Sequence, residues 1–281
     1  MARTVLITGS SSGIGLLAAR LFAARGWNVA ATARRPEALA NLAGERVLTL
    51  PLDVTDEASI AAAVAATVAR FGTIDVLVNN AGYGVFGPLE GISPDRLEQL
   101  FKVNVLGTAS MIRHVLPIMR RQRSGRIVNM SSIGGRIASP FVSAYYATKF
   151  AVEGLSESLR YELKAHGIKV KVIEPAHFKT AFIERALEQW ATHGDYEPQV
   201  SHVKAWVAHS DARAPQADPV AEMIFTAATD ASDRLRYPVH GRMIRVFHTL
   251  LPDAMWRSLM GAGMSRPPRP PRSATPLRAD A

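Results

Sequence analysis

The chain has 281 residues, 48% hydrophobic and 20% charged, with 20 glycines, 17 prolines and no cysteine. That length is ample for a single large α/β domain, and the lack of cysteine excludes disulfide frameworks, zinc knuckles, iron–sulfur clusters and thiol catalysis. The net charge of +9 sits mostly in two segments, the five arginines Arg113, Arg120, Arg121, Arg123 and Arg126 and a tail from Ser265 with four arginines and one aspartate. The first segment suits the negative end of a helix dipole, and its alternative is an anionic partner.

In chain order, short apolar runs alternate with longer helical ones. VLIT (5–8), NVAATA (28–33), RVLTL (46–50), DVLVN (75–79), RIVNM (126–130) and KVKVI (169–173) read as strands. Their continuous rather than alternating apolarity predicts burial on both faces of a parallel sheet. Helical periodicity is clearest over 56–70, about 95–122 and about 143–165. Beyond these, 178–212 and 216–229 read as helices, with a short strand near 236–239. The expected fold is a Rossmann-like, doubly wound parallel α/β sheet in one domain over 1–264, with a substrate lid at about 176–214. Residues 265–281 hold five of the prolines and are expected to form a disordered tail. No apolar run reaches the ~18 residues that span a bilayer, and RTVLIT leading straight into glycines is not expected to be a signal peptide. A cytoplasmic protein is expected.

Thr8 to Gly15 reads TGSSSGIG, straight after the first strand and opening a helix. In such a turn Gly9 permits the bend, Gly13 a close approach of pyrophosphate, and Gly15 tight helix packing. Amides from Ser11, Ser12 and Ile14 and the helix dipole favour the phosphates. Gly9–Gly13 also fits G-x-S-x-G, but ten residues leave no room for the strands that precede a nucleophile elbow. An NAD site usually carries an acid after the second strand; Arg34 and Arg35 stand there instead. A guanidinium pairs with a 2′-phosphate, so Arg34 points to NADP(H). The alternative is a pair of solvated arginines.

Tyr145 and Lys149 lie four residues apart, on one face of a predicted helix. Acid–base work by tyrosine near neutrality asks for a pKa shift of up to ~3 units, about 4 kcal/mol, and a nearby ammonium favours the phenolate. Ser132 follows the fifth strand, at the same sheet edge as the glycine turn. There a hydroxyl can stabilise developing charge on a carbonyl oxygen, though a strand-end serine can also be a plain turn residue.

TGSSSGIG, NNAG (79–82), Asn104 in KVNVLG, Ser132 in NMSS and the Tyr145/Lys149 pair together resemble the short-chain dehydrogenase/reductase family, in order, over roughly residues 3–180. The resemblance implies Tyr145 as general acid/base and Ser132 as the group orienting the carbonyl. Lys149 would hold the ribose hydroxyls and lower the Tyr145 pKa, and Asn104 would hold a relay water. Asp53 and Val54 would flank the adenine, and Asn80, Ala81 and Gly82 would line the ribose and brace the sheet. Pro175 and Thr180 would meet the nicotinamide end. Where the family has Pro-Gly after the sixth strand this chain has Pro175-Ala176, so that loop is expected to depart from the family pattern.

Tyr83, Val85, Phe86, Phe141, Phe178, Phe182, Trp190 and Trp206 supply an apolar wall, with His177 beside it. Of these, Tyr83, Phe86, Phe141, His177, Phe178 and Phe182 are the pocket candidates. The expected substrate is a lipophilic ketone, aldehyde or secondary alcohol. The resemblance to retinol and hydroxysteroid dehydrogenases does not fix which one. The family further implies a homodimer or homotetramer. Residues 242–263 mix apolar and basic residues at helical spacing, suiting core packing, a second subunit or peripheral contact with a membrane. Two other readings stay open: a non-enzymatic NADP-binding redox sensor, which would not need Tyr145, and a nucleic-acid or membrane binder, whose affinity would fall steeply with salt. No nucleic-acid partner and no metal are expected.

Overall fold

A computed structural model describes residues 2–42, 44–197 and 199–264. The expected disordered tail, 265–281, lies outside them. Seven strands form one parallel sheet: β1 (Thr4–Ile7), β2 (Asn28–Ala33), β3 (Val47–Pro51), β4 (Val76–Asn79), β5 (Gly125–Met130), β6 (Ile168–Pro175) and β7 (Arg236–Val239), in the order β3-β2-β1-β4-β5-β6-β7. The reversal after β1 makes a crevice between β1 and β4 at the carboxyl edge, where ligands bind in such sheets.

Among the described residues there are ten α-helices, eight between strands and two after β7. They are α1 (Gly13–Ala24), α2 (Glu57–Phe71), α3 (Pro94–Phe101), α4 (Gly107–Gln122), α5 (Ser143–Leu163), α6 (Ala181–Glu188), α7 (Gln199–Ala212), α8 (Asp218–Thr229), α9 (Arg242–Leu250) and α10 (Asp253–Met264). Successive strand residues serve opposite faces. Val5 and Ile7 join the core under α1 and α8 with Phe22 and Ile224, whereas Leu6 joins Ile60, Met111 and Leu163 under α2, α4 and α5. Two apolar layers thus sandwich the sheet. Asn129, fully buried in β5, ties the sheet to α5: its Nδ2 donates to Ser156 Oγ at 2.9 Å, and its Oδ1 accepts from Asn79 Nδ2 at 2.9 Å.

Three expected helices are divided. The run over 95–122 is interrupted by a π-turn, Lys102–Leu106, which rotates Asn104 into the interior. Gly107 follows because a Cβ there would lie 2.8 Å from Val54 Cγ2. The run over 178–212 breaks between α6 and α7, where residues 189–192 lie along the loop after β4. The run over 242–263 breaks at Leu251-Pro252, since proline cannot donate into a continuing helix. The basic segment is also split. Arg120 and Arg121 occupy the last turn of α4 as expected, but Arg126 lies in β5 and donates to Asp230 O at 3.3 Å.

Candidate active site

The turn after β1 is set by contacts that only glycine allows. Gly9 and Gly13 have φ of +70° and +55°. A Cβ on Gly15 would stand 2.3 Å from Gly9 O and 2.4 Å from Asn80 Nδ2, so α1 packs on the turn itself. Asn80 Nδ2 donates to the carbonyls of Thr8 and Gly9, each at 3.0 Å. Thr8 Oγ1 accepts from the amides of Asn80 and Ala81 at 3.0 and 2.9 Å. The segment following β4 therefore braces the turn as a rigid unit.

This cradle suits the phosphates of a dinucleotide. Ser12, the N-cap of α1, makes no side-chain cap bond, so the amides that open the helix are left for an anion. A Cβ on Gly13 would meet only Thr180, at 3.8 Å, which places Thr180 opposite the turn. Ser11 is exposed, and Ile14 is half-buried beside the core. Arg34 stands exposed after β2, and its guanidinium makes no hydrogen bond or ion pair among the described residues. Asp53 Oδ1 accepts from Thr55 N and Thr55 Oγ1 at 2.9 and 2.8 Å, while Val54 packs beneath Gly107.

Across the crevice, Ser132, Tyr145, Lys149 and Asn104 converge. Ser132 Oγ accepts from Gly134 N at 3.1 Å and donates to Pro175 O at 3.5 Å, and its hydroxyl draws the Tyr145 pKa down. Lys149 Nζ donates to Met130 O at 2.8 Å and lies 5.7 Å from the Tyr145 ring centroid. Asn104 clamps its neighbours: Oδ1 accepts from Tyr83 N at 3.1 Å, and Nδ2 donates to Tyr83 O and Thr148 Oγ1 at 2.9 and 3.1 Å. Thr148 Oγ1 donates in turn to Tyr145 O at 2.7 Å. Gly82 is required beside this clamp, because a Cβ there would lie 3.0 Å from Asn104 Oδ1.

Burial pushes the Tyr145 phenol well above its ordinary value, and the Ser132 hydrogen bond opposes that shift. Burial lowers the Lys149 ammonium to about 8, against an upward pull from Glu153. Lys149 is charged below about 8, so at neutral pH its ammonium stands beside the Tyr145 ring.

An apolar wall encloses Tyr145. Phe86 packs edge-on against Tyr145 at 5.9 Å and against Trp190 at 5.8 Å, and Phe182 lies 5.3 Å from Tyr145. Phe141 meets Tyr196 at 6.2 Å. Its φ of +61° is strained for a bulky residue, and its carbonyl accepts from Gly87 N at 2.7 Å. Tyr83 is half-buried, packed beside Val85 and Leu100. Trp190 is pinned from both sides: Arg96 Nη2 donates to Gln189 O at 2.7 Å, and Ala191 N donates to Phe86 O at 2.8 Å. Its buried indole N–H has no hydrogen-bond partner among the described residues.

Two pocket candidates and one wall residue lie elsewhere. Phe178 is buried in the core under α8 and stacks with His240 at 4.9 Å. The chain after β6 continues beside β7, with Ala176 N donating to Val239 O at 3.0 Å, and this carries Phe178 away from the wall. Ala176 has no positive φ, in keeping with alanine standing where the family has glycine. His177 pairs with Asp211 at 3.0 Å, and Trp206 is exposed.

Sequence reasoning missed Thr148, Glu153 and the orphan donor of Trp190. Glu153 is buried one helical turn beyond Lys149, and that i, i+4 spacing was its available signal. Thr148 had none, because a threonine inside a helix does not announce its partner.

The family model for short chain dehydrogenase matches residues 3–191. The chain belongs to this family of oxidoreductases. Human 17-beta-hydroxysteroid dehydrogenase type 1 is 38% identical over 273 residues, covering 90% of this chain and 82% of its own. A short-chain dehydrogenase from Streptomyces avermitilis superposes with a TM-score of 0.78 at 34% identity, over 94% of this chain and 98% of that one. Other solved relatives carry different dinucleotides. A metagenomic short-chain oxidoreductase binds NADP (TM-score 0.68, 28% identity, 84% of this chain and 96% of that one). A 3-ketoacyl-(acyl-carrier-protein) reductase from Brucella melitensis binds NADH (TM-score 0.72, 27% identity, 85% and 98%).

Proposed function

We propose that this chain is a cytoplasmic, NADP(H)-dependent oxidoreductase that interconverts a lipophilic ketone or aldehyde with its alcohol. The observation that carries this reading is the convergence of Ser132, Tyr145, Lys149 and Asn104 opposite the uncapped start of α1. A bound nicotinamide cofactor supplies the hydride for reduction or accepts it in oxidation. Gly9, Ser11, Ser12, Gly13, Ile14 and Gly15 would receive its pyrophosphate, and Asp53, Val54, Asn80, Ala81 and Gly82 its adenosine half. Pro175 and Thr180 would flank the other end.

For reduction, Tyr145 donates its phenolic proton to the carbonyl oxygen as the carbonyl carbon gains two electrons. Its raised pKa keeps that proton in place at neutral pH. Ser132 orients the oxygen by hydrogen bonding. Lys149, charged below about 8, would hold ribose hydroxyls and favour the phenolate once proton transfer begins. Asn104 fixes Tyr145 through Thr148 and would hold the relay water.

The free guanidinium of Arg34 and the absence of a carboxylate at Arg34 or Arg35 favour NADP(H). Because NADP pools are kept reduced, reduction is the favoured direction. The rings of Phe86 and Phe182 around Tyr145, with Phe141 in the same cluster, favour an apolar substrate. Phe150 and Tyr161, exposed on α5, suit a homodimer or homotetramer interface.

The test is NADPH oxidation with a panel of lipophilic ketones and aldehydes, with NADH, Tyr145→Phe and Arg34→Asp run in parallel. Tyr145→Phe should bind NADPH normally and lose about a thousandfold in turnover. Arg34→Asp should lower the NADPH-to-NADH preference by about tenfold. Full activity in Tyr145→Phe would overturn the proton donor, and an unchanged preference in Arg34→Asp would overturn the NADP assignment.

A further inference from the structure

The apolar surface of the molecule is unevenly spread. Met243, Ile244, Val246, Phe247, Leu250, Met255 and Leu259 are all exposed and all lie on α9 and α10, and no residue of α9 is buried. Core packing, the simplest expectation for this segment, is therefore not its state. The two helices are held by a few specific anchors. Arg245 pairs with the fully buried carboxylate of Glu174, and the buried Trp256 ring meets His248 at 5.0 Å. These anchors face inward and leave the apolar side facing out.

The charge around that face is of one sign. Asp253 is the one acid of α9 and α10 and is neutralised by Arg257 at 3.0 Å, while Arg242 makes no ion pair among the described residues. Four arginines (Arg266, Arg269, Arg272 and Arg278) follow within the next residues of the sequence against one aspartate. An exposed amphipathic helix pair followed by a polybasic segment supplies the two signals, apolar insertion and anionic attraction, that reversible membrane attachment needs. The same positive charge disfavours pairing this face with its copy in a second molecule.

We propose that α9 and α10 dock this chain on an anionic lipid surface, with Met243, Phe247 and Leu250 entering the headgroup boundary. No described helix is long and apolar enough to cross a membrane, so the contact is peripheral. The inner side of α9, opposite the docked face, borders the loops that carry Ser132 and Pro175. A Cβ on Gly241, which opens α9, would lie 2.7 Å from Ile133 Cδ1 and 3.3 Å from Ala176 Cβ, the neighbours of Ser132 and Pro175. A cleft of about 590 Å³, lined by Arg136, Pro140, Phe150, His248, Trp256 and Arg257, runs between the helix pair and the body. Docking would thus bring the reacting centre beside the phase in which lipophilic carbonyl compounds dissolve. The proposal rests on the surface alone and stands whether or not the NADP assignment does.

The test is co-sedimentation of the full chain with vesicles of phosphatidylcholine alone or with added phosphatidylserine. Met243→Asp/Leu250→Asp and Arg266→Gln/Arg269→Gln/Arg272→Gln are compared with wild type, alongside analytical ultracentrifugation without lipid. Wild type should bind the anionic vesicles and release at high salt, and each multiple variant should bind about tenfold or more weakly. Circular dichroism and NADPH binding should be unchanged in both variants, since positions 243 and 250 are among the most exposed apolar sites. Failure to bind anionic vesicles, or equal binding to phosphatidylcholine alone, would overturn the proposal. So would a change of association state in Met243→Asp/Leu250→Asp without lipid, which would assign the face to a second copy.

Discussion

The two halves of the site, proposed above as one for cofactor and one for substrate, are built by different means. On the cofactor side, Thr8–Gly15 and Asn79–Gly82 are fixed by backbone approach: glycines stand where a methyl group has no room, and an asparagine and a threonine satisfy the turn's carbonyls and amides. On the substrate side, residues 181–212 close over Tyr145 mainly through large rings, with few hydrogen bonds to the body. Steric exclusion tolerates no change, whereas an apolar wall can repack if its volume is kept. The first half should therefore be brittle, and the rings of the second adjustable except where Gly87 and Gly91 face the carbonyls of Ala191 and Thr192.

Adding one methyl group to each side is the strongest way to break this contrast. Gly15→Ala puts a Cβ 2.3 Å from Gly9 O and should cost about 3 kcal/mol and abolish NADPH binding. Gly194→Ala, whose Cβ meets nothing within 4 Å, should change stability by less than about 0.5 kcal/mol. Thermal melts and cofactor titrations of the pair would decide it, and equal losses would refute the contrast.

Between the halves stands Lys149. Its ammonium persists below about 8, so reductive kcat/KM should fall about tenfold per pH unit above that value. Because Glu153 pulls the Lys149 pKa upward, Glu153→Gln should move this limb to lower pH. Stability has its own sign. Between about 8 and the ordinary 10.5 the unfolded chain keeps a proton that native Lys149 has lost, so this residue makes stability rise with pH across that window. A pH profile unmoved by Glu153→Gln would show that the carboxylate does not act on Lys149.

The smallest effect belongs to the wall. Trp190→Phe removes an N–H that has no protein partner while keeping most of the ring, and melting should barely change. KM for lipophilic ketones should rise by no more than about twofold, with or without a remote oxygen acceptor, because the indole N–H is enclosed. A rise of about tenfold or more confined to ketones with a remote acceptor would mean that the indole N–H reaches the substrate.

Most of the sheet was legible in the sequence because buried parallel strands are continuous apolar runs; Asn28–Ala33 and Arg236–Val239 coincide with their predicted limits. Ser132, Tyr145 and Lys149 were legible through spacing and position at a strand end. The π-turn at Asn104 was not, because its cause is tertiary: the side chain bonds Tyr83 and Thr148, both distant in sequence. Phe178 was misplaced for a related reason. Its neighbours on the wall are aromatic too, and only the pairing of Ala176 with Val239 decides which way the chain runs.

The attachment of the segment after α6 has an evolutionary consequence. It is pinned through main-chain atoms, with Ala191 N on Phe86 O and Gln189 O under Arg96, and Gly87 and Gly91 leave room for the carbonyls of Ala191 and Thr192. Contacts of this kind do not depend on which side chains the segment carries. A lineage can therefore exchange the rings facing Tyr145, and with them the substrate class proposed above, while inheriting Ser132, Tyr145 and Lys149 unaltered.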